Sequence, residues 1–257
     1  MSGDNMNKRE LNGRVALVTG ASRNIGRAIA LALAEAGASI AVVARADRAA
    51  AEAVAREAEA KGVRATVILG DVSQEDDSAR LVSETVDVLG CLDLLVNNAA
   101  IRREDPLESL SFKDWREVLS VTLDGAFLMS RAAIPHLLAS NGGSIINIGG
   151  LTAYTGAVNR AHVIAAKAGL DGLTKAMAHE LGPRGVTVNL VSPGMIDTNR
   201  AHASSAGEPA HHNTTRTLVG RRGTPEEVAA AVLYLAGPVA RFTTGQTLHV
   251  NGGAFLP

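Results

Sequence analysis

Short apolar segments alternate with longer helical segments along almost the whole chain, and this alternation constrains the fold most strongly. The first segment, RVALVT at 14–19, has the length and composition of a buried strand. Further strands are predicted at 39–44, 64–69, 92–97, 144–148, 186–191 and 247–250. Helices are predicted at about 25–36, 47–61, 76–89, 111–139, 161–181 and 225–235. This order predicts an α/β fold, a doubly wound parallel sheet of seven strands with helices on both faces.

Length, charge and cysteine content narrow the class of protein further. A chain of 257 residues is long enough for one large domain, predicted here to cover residues 1–257. The formal net charge of −1 favours neither nucleic acid nor an anionic membrane as a partner. Cys91 is the only cysteine, and the polar first ten residues, predicted to be flexible, carry no signal-peptide pattern. No apolar run reaches the length that a membrane span needs, so we expect no membrane span, and we expect a cytoplasmic protein.

A glycine-containing turn, TGASRNIG at 19–26, joins the first predicted strand to the first predicted helix. Such a turn presents backbone N–H groups and a helix N-terminus to a pyrophosphate. A tight turn without a ligand is the alternative. In a parallel sheet the ligand lies at the carboxyl ends of the strands, near the point where the strand order reverses.

Five further segments carry a family resemblance. They are Asp71-Val72, NNAA at 97–100, the helix that contains Lys167, SPGMIDT at 192–198 and GQTLHVNGG at 245–253. Together with TGASRNIG, which is similar to TGxxxGxG, they follow the order and spacing of the short-chain dehydrogenase/reductase family, and the chain resembles its 3-oxoacyl-ACP reductase-like members. The resemblance implies a Rossmann fold that binds a nicotinamide dinucleotide. It implies these cofactor-binding residues: Gly20, Ser22, Arg23, Asn24, Ile25, Arg45, Asp71, Val72, Asn98, Lys167, Pro193, Gly194, Ile196 and Thr198.

Two features of the cofactor half are particular to this chain. Asn24 stands where the family has the middle glycine, and asparagine is one of the few other residues that tolerate a left-handed backbone. NAD-specific members carry an acid at the end of the second strand, where this chain has Ala44, followed by Arg45. With Arg23 in the glycine turn, two guanidinium groups favour the 2′-phosphate of NADP(H) over NAD(H). The alternative is that both arginines are solvated surface residues.

The catalytic half departs from the family. The resemblance implies a Ser, Tyr, Lys and Asn set in which the phenol is the acid or base and the lysine also holds the nicotinamide ribose. The segment 147–167 aligns without a gap and retains Lys167. Val163 stands at the tyrosine position, Gly150 at the serine position and Thr122 at the asparagine position. The sequence therefore predicts an atypical site.

Another group would have to supply the proton. Tyr154, in a predicted loop after the fifth strand, is one candidate, and a packed tyrosine is the alternative. His162 is a second candidate, although it points about 100° away from Val163 on a helix and could face a helix or a subunit contact. Lys167 is a third, and Thr152 could replace the lost serine hydroxyl.

The remaining polar residues suggest a substrate and exclude a metal. Arg102 and Arg103 follow NNAA and could border the pocket, which would suit an anionic substrate, or could be solvated. A flap is predicted at 199–217; its histidines, His202, His211 and His212, have no carboxylate or cysteine partner at ligand spacing, so we expect no metal.

The expected function is an oxidoreductase acting on a small-molecule carbonyl or alcohol. A lyase, isomerase or hydrolase on the same fold, or a catalytically inactive cofactor-binding subunit, are the alternatives, because function belongs to the site and not to the fold. The resemblance also implies a homo-oligomer, a tetramer or dimer formed through the long helices after the fourth and fifth strands.

Overall fold

A computed structural model describes residues 9–198 and 216–257, and within them seven parallel strands form one sheet. The strands are β1 (Val15–Thr19), β2 (Ser39–Ala44), β3 (Ala65–Leu69), β4 (Leu94–Asn97), β5 (Ser144–Ile148), β6 (Thr187–Pro193) and β7 (Thr247–Val250). Their order in the sheet is β3-β2-β1-β4-β5-β6-β7. The order reverses between β1 and β4, which is where such a sheet binds its ligand.

Helices cover both faces of the sheet. They are α1 (Asn24–Glu35), α2 (Arg48–Glu59), α3 (Glu75–Leu89), α4 (Phe112–Leu119), α5 (Gly125–Ala139), α6 (Thr152–Thr155), α7 (Ala161–Leu181) and α8 (Pro225–Ala236). One core cluster joins the sheet to α1, α2 and α8, and the other joins it to α3, α5 and α7. The predicted single-domain, doubly wound α/β fold is confirmed.

The central strand β1 is mostly apolar because both of its faces are covered. In β1, Ala16 and Val18 point into the first core cluster, whereas Val15 and Leu17 point into the second. Side chains alternate between the two faces of a strand, so a strand buried on both sides favours apolar residues at successive positions. The strand predicted at 14–19 therefore reads as one continuous apolar run.

The helix predicted at 111–139 is not continuous. A π-helical turn, Ser120–Asp124, separates α4 from α5. Thr122 lies in this turn, is buried, and its Oγ1 has no hydrogen-bond partner among the described residues. Single π-turns inside helices frequently mark functional sites.

The combined stretch Phe112–Ala139 is long and apolar enough to cross a membrane by length and composition, because an 18-residue window within it has a mean hydropathy of 1.2. The expectation that no such stretch exists was wrong on that criterion. One helix of this kind is weak support for a membrane span, because core helices pass the same test. Met129, Ala133 and Leu137 are fully buried in the second core cluster, which accounts for the apolar composition of this stretch.

Two predictions fall mostly on residues outside those described. They are the flexible N-terminus at 1–10, described only from residue 9, and the flap at 199–217, described only from residue 216. The three flap histidines His202, His211 and His212 also lie outside the described residues.

Candidate active site

The turn between β1 and α1 has the shape of an anion-binding loop. Gly20 has φ +63° and Asn24 has φ +49°, so the left-handed backbone expected at Asn24 is present. A Cβ atom on Gly26 would lie 2.2 Å from Gly20 O, so the helix can start this close to the strand only with glycine there. Arg23, the N-cap of α1, has no acceptor in its side chain, so it does not cap the first-turn N–H groups. These N–H groups fit a pyrophosphate.

Asn98 joins this turn to the end of β4. Its Nδ2 donates to Thr19 O at 2.9 Å and to Gly20 O at 3.1 Å. The Thr19 hydroxyl in turn accepts from the backbone N–H groups of Asn98 and Ala99, each at 3.0 Å. The hydrogen bonds therefore hold the glycine turn at the point where the strand order reverses.

The other predicted cofactor residues lie along the same edge of the sheet. Arg45 follows β2 and is exposed, and the Asp71 carboxylate, after β3, accepts from the N–H and the hydroxyl of Ser73. At the end of β6, a Cβ on Gly194 would lie 2.7 Å from the Cα of Asn251. The fold thus brings together these residues: Gly20, Ser22, Arg23, Asn24, Ile25, Arg45, Asp71, Val72, Asn98, Pro193, Gly194, Ile196 and Thr198. Their contacts to a cofactor stay a prediction.

Lys167 is buried on α7 beneath the end of β5. Its Nζ donates to Ile148 O at 2.5 Å, the one acceptor it contacts among the described residues. Burial, together with the positive charges of Arg102 and Arg160, lowers the pKa of Lys167 to about 7. An ammonium group has three donors, so ribose hydroxyls would fit the two that Ile148 does not use.

Val163 and Gly150 lie near Lys167 along their own elements, Val163 on the same helix and Gly150 two residues after Ile148. Val163 lies one helical turn before Lys167, is 4% exposed, and packs in one cluster with Val118 and Ile101. A Cβ on Gly150 would meet no atom within 4 Å. The π-turn that carries Thr122 packs against α7.

Tyr154 lies in the short helix α6 and not in the loop expected from the sequence. Its hydroxyl donates to Asp171 Oδ1 at 3.0 Å and lies 3.3 Å from the Thr247 hydroxyl. Its ring stacks on Phe255 and meets His249 edge-on, with centroids 5.6 and 4.8 Å away. Burial, and secondarily Asp171, raises the pKa of Tyr154 to about 12. Thr152, also considered from the sequence, is buried in the same helix.

His162 is fully buried at the start of α7. Its Nε2 lies 3.5 Å from Asp105 Oδ2, and neither ring nitrogen has a hydrogen bond among the described residues. Burial lowers the pKa of His162 below its usual range, which favours the neutral imidazole.

The two arginines after β4 have different surroundings. Arg103 forms ion pairs with Asp114 at 2.7 Å and Glu117 at 2.8 Å, both on α4. Arg102 contributes to the field at Lys167, as does Arg160, the N-cap of α7. The sequence analysis missed Arg160, and helical spacing could not place its side chain, because the backbone of this N-cap residue is not helical (φ −134°, ψ 24°).

Within residues 9–198 and 216–257, no group of three or more His, Cys, Asp or Glu side chains could hold a metal ion. The fold and the glycine turn together define a dinucleotide-binding α/β protein.

Comparison with known proteins identifies the family to which this dinucleotide-binding protein is similar. The family model described as enoyl-(acyl carrier protein) reductase matches residues 20–254. The 3-oxoacyl-[acyl-carrier-protein] reductase FabG of Staphylococcus aureus is 41% identical over 241 residues, covering 94% of this chain and 98% of that protein.

Solved structures of similar proteins indicate the same family. A short-chain dehydrogenase from Burkholderia cenocepacia, in complex with NADP, has a TM-score of 0.89 at 37% identity, covering 95% of this chain and 99% of that one. A dehydrogenase/reductase from Sinorhizobium meliloti has a TM-score of 0.90 at 40% identity, covering 97% and 98%. The chain belongs to the short-chain dehydrogenase/reductase family, and it is an NAD(P)-dependent oxidoreductase.

Proposed function

We propose that this protein is an NADP(H)-dependent oxidoreductase that interconverts a small-molecule carbonyl and its alcohol without a tyrosine at position 163. One observation carries the proposal: Lys167, a protonatable group with a lowered pKa, is buried one helical turn after Val163, with its Nζ on the carbonyl of Ile148 at the end of β5. The proposed site therefore retains a buried acid one helical turn after the position where the family resemblance places the phenol.

The cofactor preference rests on the arginines at the edge of the sheet. Arg23 and Arg45 are both exposed there, and Ala44 offers no carboxylate to a ribose 2′-hydroxyl. Guanidinium groups suit a 2′-phosphate. The Burkholderia relative in complex with NADP supports the same choice. When bound, the nicotinamide supplies a hydride in reduction and accepts one in oxidation.

Lys167 supplies the proton in the proposed reduction. As the carbonyl carbon gains the hydride, the π electrons move to the oxygen, and the Lys167 ammonium transfers a proton to it. The product is an alcohol, and the neutral amine takes a proton from solvent. A pKa near 7 matches such an acid to neutral pH. In the oxidation direction the neutral amine accepts the proton.

The other two candidates are less suited to this role. The Tyr154 hydroxyl is hydrogen-bonded to the Asp171 carboxylate, so its ionisation would place two negative charges 3.0 Å apart. His162 lies next to Val163, but its side chain is fully buried against Asp105. We therefore assign Tyr154 and His162 to the packing of the site and the proton to Lys167.

Location and assembly follow from the family resemblance. We propose a cytoplasmic homo-oligomer, dimer or tetramer, with no nucleic-acid or membrane partner. A single cysteine suits a reducing compartment. The exposed rings of Phe112 and Phe127 on α4 and α5 suit a subunit contact.

Steady-state kinetics on a panel of ketones and aldehydes test the proposal. We expect kcat/KM with NADPH to exceed that with NADH by about tenfold or more, roughly the worth of one charge-assisted contact. Lys167→Met should lose about 10²-fold or more in kcat, and Tyr154→Phe should stay near the wild-type value. NADPH affinity measured by fluorescence separates lost chemistry from lost binding in the Lys167 variant.

The proposal predicts the direction in which kcat/KM changes with pH. Reduction needs protonated Lys167, so its kcat/KM should be constant at low pH and fall above about pH 7. Oxidation needs the neutral amine and should rise over the same range. Absence of turnover with every carbonyl, or a large loss in Tyr154→Phe, would contradict the proposal. Product formed without a change in nicotinamide absorbance would favour a lyase, isomerase or hydrolase instead.

A further inference from the structure

An open pocket of about 510 Å³ lies at the edge of the sheet opposite the cofactor residues. It is lined by the segments that precede β1, β5, β6 and β7, and its charged lining residues are Arg14, Arg184, Arg241 and Glu10. We call it the basal pocket. We infer that the basal pocket is a second binding site, which takes the phosphate group of a small molecule. This site goes beyond the proposed function, because the proposed reaction does not use it.

Two guanidinium groups meet at one carbonyl oxygen in the basal pocket. Arg14 Nη2 donates to Gly142 O at 2.5 Å, and Arg241 Nη1 donates to the same oxygen at 2.9 Å. Gly142 has φ +97°, and a Cβ atom there would lie 3.2 Å from Arg241 Cζ, so glycine suits this loop. Burial, and secondarily the charge of Arg14, lowers the pKa of Arg241. The fold therefore holds two like charges close together.

Further carbonyl groups fix both guanidinium groups in place. Arg14 Nη1 donates to Asn141 O at 2.8 Å, and Arg241 donates to Gly143 O at 3.1 Å and to Gly185 O at 2.6 Å. A guanidinium has five N–H donors. Among the described residues, the Nε–H and one Nη2–H of each of these two arginines have no acceptor. These fixed donors are available to a ligand.

The basal pocket keeps an excess of positive charge. Arg184 is exposed and makes no hydrogen bond or ion pair to the part of the chain that the structure describes. The Asp93 carboxylate pairs with Arg14 at 3.2 Å, and Glu10 adds the carboxylate of the pocket itself. Two carboxylates offset two of the three guanidinium groups, so one positive charge remains. An anion would neutralise it and stabilise the neighbouring arginines.

The arrangement of donors favours a phosphate over a carboxylate. The Ser140 hydroxyl also lines the basal pocket, and its buried Oγ has no hydrogen-bond partner among the described residues. The donors thus come from four separate segments around the pocket. A phosphate ester offers three strong acceptor oxygens to such donors, whereas a carboxylate offers two in one plane. A volume of about 510 Å³ also leaves room for a small organic group.

The basal pocket is well separated from the cofactor residues. Arg14 immediately precedes β1, whereas the glycine turn follows it, and β1 has five residues, which span roughly 16 Å. Ligands of such sheets are expected at the carboxyl ends of the strands, and the basal pocket lies at the amino ends. A phosphate bound here should therefore not compete with NADPH.

Calorimetric titration of the NADPH-saturated protein tests the inference. Inorganic phosphate and glucose 6-phosphate are the probes, and glucose is the uncharged control. Both phosphates should bind saturably and glucose should not. At about a hundred times the dissociation constant, each phosphate should raise the melting temperature by roughly 5 °C or more at matched ionic strength. Tighter binding of glucose 6-phosphate would indicate a phosphorylated metabolite, and equal binding would indicate free phosphate as the ligand; both results support the site.

Substitution of the arginines identifies the site. Arg241→Gln should weaken phosphate binding by about tenfold or more, the usual worth of a charge-assisted hydrogen bond. Arg184→Gln removes no contact within the described residues, so it should fold normally and weaken binding by about threefold to fivefold. Arg56→Gln is the matched control, because Arg56 is exposed on α2 and does not line the pocket. It should bind phosphate like the wild type.

Three results would overturn the inference. The first is the absence of saturable phosphate binding in the wild-type protein. The second is wild-type affinity in Arg184→Gln and Arg241→Gln, because general stabilisation by phosphate is shared by every variant. The Arg184 variant decides this point if Arg241→Gln does not fold. The third is competition between phosphate and NADPH, which would place the phosphate in the cofactor site. Each of these results leaves the proposed reaction standing.

Discussion

Mutation of Val163 is the most direct test of the proposed proton transfer from Lys167. Its side chain is buried against Val118 and Ile101, on the face of α7 that also carries Lys167. A tyrosine there would add a hydroxyl beside the ammonium, and the ammonium would lower the pKa of that hydroxyl. A phenylalanine would add the same ring without the hydroxyl.

We expect Val163→Tyr to raise kcat for a neutral ketone by about 10²-fold over Val163→Phe, the usual size of general acid catalysis. Both variants enlarge a buried side chain and should lose roughly 1–3 kcal/mol of unfolding free energy. Kinetics and denaturant unfolding on the two variants measure these effects. Equal kcat values in the two variants would contradict the assignment of position 163.

Single residues also show how far sequence reasoning reaches. The i and i+4 spacing was enough to place Val163 and Lys167 on one face of a helix, and the backbone of Asn24 was predicted from its residue type. The partners of Tyr154 could not be predicted, because Asp171 and Thr247 lie 17 and 93 positions away along the chain. Nothing local to Tyr154 indicates that its hydroxyl faces a carboxylate.

The β1–α1 turn depends on a contact from another element. Asn98, at the end of β4, supplies two amide hydrogens to the carbonyls of Thr19 and Gly20. Asn98→Asp keeps the shape of the side chain but replaces these donors with a carboxylate facing two carbonyl oxygens. The turn should therefore lose its attachment to β4.

We expect Asn98→Asp to lose about 1–3 kcal/mol of unfolding free energy and to bind NADPH more weakly. Thermal unfolding and fluorescence titration measure the two effects. Asn12→Asp makes the same chemical change at an exposed position and should alter neither. An unchanged melting temperature and NADPH affinity in Asn98→Asp would show that the Asn98 hydrogen bonds contribute neither to stability nor to cofactor binding.

The sequence predicted correctly which segments are strands and which are helices, but it did not predict where a helix is interrupted. The strands at 39–44, 144–148 and 247–250 and the helix at 161–181 match the structure. The helix at 111–139 was predicted as one piece, because α-helical and π-helical turns give nearly the same apolar pattern over so few residues. The short helix α6 was missed because four residues carry too little periodicity.

Assembly is a property of the whole molecule. Phe127, on α5, is 45% exposed, and the Arg131 guanidinium lies 5.6 Å from its ring centroid. The family resemblance places a subunit contact on this long helix. Burial of this exposed aromatic ring would stabilise the proposed oligomer.

We expect the protein to sediment as a dimer or tetramer and Phe127→Glu to shift it toward a smaller species, because a carboxylate in a subunit contact is costly to bury. Val88→Glu, an exposed apolar residue on α3, is the matched control and should leave the sedimentation coefficient unchanged. A wild-type protein that sediments as a monomer would exclude the assembly.

The order of strands and helices follows from the local pattern of apolar residues, and the glycine turn, Lys167 and Val163 are identified directly along the chain. The surroundings of these residues depend on tertiary structure. A parallel sheet brings the ends of strands that are far apart in sequence to one edge, which places Arg102 and Arg160 near Lys167. The lowered pKa of Lys167 and the raised pKa of Tyr154 arise because packing removes water from both groups, an effect that no single segment specifies.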